Sequence, residues 1–141
     1  MKQFTSTPES KMKITHMTEN NTLVIDLDKT LTQGGNAGYE NELPNADVID
    51  TLKKYRKEGF RIVIYTARNM RSYKGSMGLI NVHTLPQIIE WLNKYDVPYD
   101  EIFVGKPWCG KKGFYVDDRA IRPSEFVKYS YEEIIKIIEA E

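Results

Sequence analysis

Asp26 and Asp28 stand one residue apart at the end of an apolar run, Leu23-Val24-Ile25, and Thr30 follows two positions later. Side chains alternate along a strand, so both carboxylates face the same way. Two like charges at the mouth of a buried strand repel each other and lose hydration, which favours a cation or a reacting phosphoryl group between them. An Asp-rich turn, in which the carboxylates bond nearby backbone N–H groups, is the plainer reading. Three distant segments bear on the choice, because Thr66, Lys106 and the pair Asp117-Asp118 each follow an apolar run as well. A hydroxyl, an ammonium and a second carboxylate pair, added to the first, suit a phosphoryl group held against a divalent cation. Carboxylates at this density select a hard ion such as Mg²⁺, which keeps several waters and takes one or two protein carboxylates. Lys106 would neutralise phosphate oxygens and Thr66 would donate a hydrogen bond to one of them.

The elements that must position these residues follow from apolar periodicity. Leu23-Val24-Ile25, Phe60 to Tyr65, Glu101 to Val104 and Phe114 to Val116 read as four strands, the first two buried on both faces. Between them, Val48, Ile49, Leu52 and Tyr55 recur at helical spacing from Ala46 to Glu58, with Gly59 placed to end the helix. Ile88, Ile89, Trp91, Leu92 and Tyr95 supply the apolar face of a second helix from Leu85, and Ile134, Ile135 and Ile138 that of a final one from Tyr131 to Glu139. Strands alternating with helices predict an α/β fold, with a central parallel sheet covered on both faces and right-handed crossovers. Ligands in such folds lie beyond the carboxyl ends of the strands, where all four polar segments fall.

In order and wording these segments resemble the haloacid dehalogenase-like (HAD) hydrolase superfamily, whose motifs are Asp-x-Asp-x-Thr, a Thr or Ser, a Lys, and an acidic pair. Here they are Asp26-Leu27-Asp28-Lys29-Thr30, Thr66, Lys106 and Asp117-Asp118, over about residues 22 to 138. The resemblance implies a three-layer α/β/α Rossmann-like fold and a phosphatase with Asp26 as nucleophile, forming an aspartyl-phosphate, and Asp28 as acid/base. Thr66 and Lys106 complete the implied catalytic set. It also implies Mg²⁺ held by the Asp26 side chain, the Asp28 backbone carbonyl and the acidic pair, with Asp118 favoured over Asp117 as direct ligand. Lys29 stands where many members have Gly. The intervals from Thr30 to Pro44 and from Thr66 to Lys106 leave no room for a large cap domain, so the chain looks like a capless member with an open site, compatible with a homo-oligomer in which a partner subunit lends a lid. Thr66-Ala67-Arg68, Gly105-Lys106-Pro107-Trp108 and Asp117-Asp118-Arg119 are similar to a capsular polysaccharide biosynthesis phosphatase-like subgroup. That similarity implies a phosphorylated sugar or a related metabolite as small-molecule substrate. A nucleic-acid end phosphatase and a non-catalytic phospho-ligand-binding subunit are the competing readings.

Candidate substrate contacts are Thr30, Arg68, Arg71 and Trp108: the arginines lie on a basic, Gly-bearing loop running to His83, and Trp108 follows Lys106-Pro107. His83 fits a structural role, since Asp28 fills the acid/base position. Twenty basic and twenty acidic residues give no net field, which argues against binding nucleic acid through bulk charge. No apolar stretch reaches the roughly twenty residues that span a bilayer, no signal-peptide hydrophobic region is seen, and Cys109 is alone, which together predict a cytoplasmic location. Residues 1–21 read as a flexible leader and residues 22–141 as a single phosphatase domain.

Overall fold

The computed structural model of the chain describes residues 21–35 and 38–140. Apart from Asn21, the expected leader lies outside the described residues. The fold is mixed α/β. Three strands, β1 (Thr22–Ile25), β2 (Arg61–Thr66) and β3 (Glu101–Val104), form a parallel sheet in the order β1-β2-β3. Among the described residues five α-helices accompany it, α1 (Ala46–Lys57), α2 (Met77–His83), α3 (Leu85–Lys94), α4 (Pro123–Lys128) and α5 (Tyr131–Glu139), with a single 3-10 turn at Tyr39–Asn41. The register pairs Ile25 with Ile64 and Thr66 with Val104, so β2 and β3 end level and β1 stops two residues earlier.

One face of the sheet carries the core. Ile25, Ile62 and Ile64 pack in a cluster with Val48, Ile49 and Leu52 of α1, with Ile88, Trp91 and Leu92 of α3, and with Phe126 and Ile134 from the last two helices. Each such side chain, fully buried, stabilises the fold by about 1.5–3 kcal/mol through area removed from water. The loop before β3 adds a polar tie. Asp100 accepts the Ile62 amide at 2.8 Å and the Arg56 guanidinium at 3.0 Å, pinning α1 and β2 to the start of β3.

The opposite face is more open than the sequence predicts. Only β2 is buried on both sides, whereas Val24 on β1 and Phe103 on β3 are 60% and 52% exposed. The reason is position, since β1 and β3 are the outer strands and the core-forming helices gather on the Ile25-Ile64 face.

A second expectation is also revised. Phe114 to Val116 forms no strand, and residues 111–120 are exposed throughout. Three apolar residues between Gly113 and the acidic pair offer few ladder bonds against the entropy of ordering them. Helices α2 and α4 are not predicted from the sequence, being too short to display a helical period, although Ser76 caps α2 by accepting the Leu79 amide.

Candidate active site

Asp26 begins where β1 stops, and the alternation expected of a strand persists past its end. Ile25 and Leu27 point into the core, while Asp26 and Asp28 emerge together on the other side. The chain then turns sharply. Leu31 and Thr32 return their amides to the Leu27 carbonyl at 2.9 and 3.1 Å, and Lys29 adopts φ 60° to make the turn, a left-handed conformation that glycine takes without strain. The turn places Thr30 above Asp26, and its hydroxyl donates to Asp26 Oδ2 at 3.1 Å.

Lys106 arrives from the neighbouring strands. The Lys106 amide donates to the Thr66 carbonyl at 3.1 Å, extending the β2–β3 pairing by one bond. Gly105 permits that path with φ 89°, and a Cβ there would run into the sulfur of Met77 on α2. The ammonium comes to rest 3.7 Å from Asp26 Oδ1, with the Tyr115 ring 4.3 Å from Nζ. Tyr115 is itself held by a 2.6 Å hydrogen bond to the Pro107 carbonyl. Burial raises the pKa of Asp26 above the usual carboxylate value; the Lys106 ammonium and the Thr30 hydroxyl act in the opposite direction.

Asp28 has a different partner. Arg68 donates from Nε to Oδ2 at 3.2 Å and from a terminal nitrogen to Oδ1 at 2.6 Å, a two-pronged pair. The same nitrogen is 3.6 Å from Glu42, and the guanidinium lies 4.2 Å from the centre of the Tyr39 ring. Glu42 is buried, and burial pushes its pKa up. Thr66 is buried too, its hydroxyl accepting the Arg68 amide at 3.1 Å.

The structure thus brings Asp26, Thr30 and Lys106 into one cluster and joins Asp28, Thr66 and Arg68 in a second alongside it. It does not gather the others. Arg71 is exposed on its loop, Trp108 is 51% exposed, and Asp117 and Asp118 stand at the surface, where Asp117 accepts the Arg119 amide at 2.8 Å. Among the described residues no three His, Cys, Asp or Glu side chains converge at metal-binding spacing. Tyr39, Glu42 and Tyr115 are site neighbours that no sequence spacing announces. Two recesses between α1 and α4, one lined by Tyr55 and Phe126 and the other by Val48 and Pro123, include none of these residues.

No protein-family model matches the chain, and no curated protein sequence does. A crystal structure of a target protein from Vibrio cholerae is similar to it, with 59% sequence identity and a TM-score of 0.84 over 85% of this chain and 98% of that one. On identity and coverage of that extent, the chain belongs to the same family as this Vibrio cholerae protein.

Proposed function

We propose that the chain is a phosphomonoester hydrolase of the HAD superfamily, working through an aspartyl-phosphate on Asp26. The observation that carries this reading is the Asp26 carboxylate beyond the end of a parallel strand, flanked by the Lys106 ammonium at 3.7 Å and the Thr30 hydroxyl at 3.1 Å. In the first step the Asp26 oxygen bonds to phosphorus, the bond to the leaving oxygen breaks, and that oxygen takes a proton from Asp28. In the second, water attacks the aspartyl-phosphate and gives its proton to Asp28, restoring the Asp26 carboxylate and the Asp28 carboxylic acid and releasing phosphate. Lys106 offsets the charge that gathers on the phosphoryl oxygens.

The superfamily resemblance adds Mg²⁺ and a complete Rossmann-like fold to this proposal. As they lie among the described residues, the acidic side chains do not form the full magnesium ligand set, so no step above runs through the ion. Completing that set would require Asp117 or Asp118 to approach Asp26. By subgroup resemblance the substrate is a phosphorylated sugar or a related metabolite of polysaccharide synthesis.

The test is hydrolysis of an aryl phosphate with and without added Mg²⁺. Asp26→Asn is expected to lower turnover by at least about a thousand-fold, the scale seen when a nucleophile is removed. Turnover close to wild type in that variant overturns the aspartyl-phosphate reading, and turnover indifferent to Mg²⁺ removes the metal from it.

A further inference from the structure

Arg68 is built into the site without access to it. Its side chain is 1% exposed, closed in by Tyr39, Asp28 and Glu42. A guanidinium so enclosed does not meet an incoming phosphate, so the geometry assigns Arg68 to Asp28 and not to the substrate. Both Asp28 oxygens accept from Arg68 at 3.2 and 2.6 Å, so turning Asp28 toward a leaving group or a water breaks at least one of these bonds. An acid/base held this way needs its guanidinium to have somewhere else to go, because an unpaired buried cation is costly.

Glu42 supplies the place. Its Oε2 is buried and accepts no hydrogen bond, yet lies 3.6 Å from the Arg68 nitrogen that now bonds Asp28. The Glu42 backbone is fixed, its carbonyl taking the Trp91 indole N–H at 2.8 Å. A native buried acceptor left without a donor needs an explanation. Closing the gap to an ordinary charged hydrogen bond takes a movement of about 0.7 Å.

We propose that Arg68 and Glu42 are positioning residues, in which Arg68 parks Asp28 in the resting site and passes to Glu42 Oε2 when Asp28 engages the substrate. This rests on the phosphatase reading above. One buried cation then keeps a carboxylate partner throughout, and Asp28 is released only as the exchange occurs.

The test is steady-state hydrolysis of an aryl phosphate, with thermal melting to verify that each variant is folded. Glu42→Gln keeps the shape but offers Arg68 an uncharged acceptor, so kcat falls about ten-fold while KM stays within about two-fold, the difference between a charged and a neutral hydrogen bond. With Arg68→Met already present, Glu42→Gln has no further effect on kcat, because nothing remains to be exchanged. A crystal structure of the wild-type protein with vanadate bound shows Arg68 hydrogen-bonded to Glu42 and Asp28 turned to the vanadate. A wild-type kcat in folded Glu42→Gln, full additivity in the double variant, or Arg68 still on Asp28 with vanadate bound overturns the exchange. If Asp26→Asn abolishes turnover while Glu42→Gln does not change it, this inference alone fails; if the wild-type protein hydrolyses no phosphomonoester, both fail.

Discussion

Replacing Lys106 by Met removes the charge that faces Asp26 while keeping most of the chain's bulk. At the observed 3.7 Å the Coulomb attraction is about 1 kcal/mol in water and about 4.5 kcal/mol at an effective dielectric of 20. The Asp26 side chain is 36% exposed and that of Lys106 20%, so solvent screening favours the lower part of that range, about 1–2 kcal/mol. That figure concerns the resting pair. In the proposed reaction the same ammonium would also face phosphoryl oxygens, and loss of one such group costs about 10²–10³ in kcat. Lys106→Met is therefore expected to lose about that factor against an aryl phosphate, and Lys106→Arg to recover part of it. Without the ammonium the ionised form of Asp26 loses support, so the acid limb of the kcat/KM profile moves to higher pH. A kcat/KM within about three-fold of wild type, with the acid limb unmoved, refutes the placement of Lys106 in the machinery.

Two further outcomes follow from strain and burial. Lys29→Gly relieves the left-handed φ of 60° but loosens the unfolded chain, for a net gain of about 0.5–1 kcal/mol in urea unfolding, with hydrolysis unchanged. The raised pKa of Glu42 means that the folded state favours its protonated form more than the unfolded state does. Its contribution to stability is thus fully present below the unfolded value of about 4.5 and is lost as pH rises through the folded value. Glu42→Gln, neutral at every pH, accordingly melts higher than wild type near pH 8, and the difference shrinks toward pH 4 in a series of melts; a difference that does not vary with pH contradicts the assignment.

Much of this architecture is legible in the chain. Val48, Ile49 and Leu52 announce α1, and Ile88, Trp91 and Leu92 announce α3, because each run is long enough to show a helical period. The four-residue β3 is found by its position between a helix and a polar turn. What escapes is tertiary. Whether Val24 is covered depends on which side of the sheet the helices choose, and whether Phe114 to Val116 pairs depends on a competition that three residues cannot settle locally. Within the site, the closeness of Asp26, Thr30 and Lys106 follows from parallel strands ending on the same edge of the sheet, which motif order foreshadows. The Arg68 pairing with Asp28 joins positions 40 apart, and Glu42 enters only because the chain folds back where Thr32 bridges Pro44. Nothing in the spacing encodes either.

The placement of β1 at the side of the sheet bears on how the site opens. Asp26 is carried by a four-residue strand whose described ladder is with β2 alone, while Thr66 and Arg68 continue from the strand paired on both sides. Local opening free energies scale with such anchoring, so amides of residues 23–26 exchange with solvent before those of residues 62–65. The two halves of the candidate site are therefore expected to fall in different cooperative units: a firmer base bearing Thr66 and Arg68, and a more readily opened segment bearing Asp26.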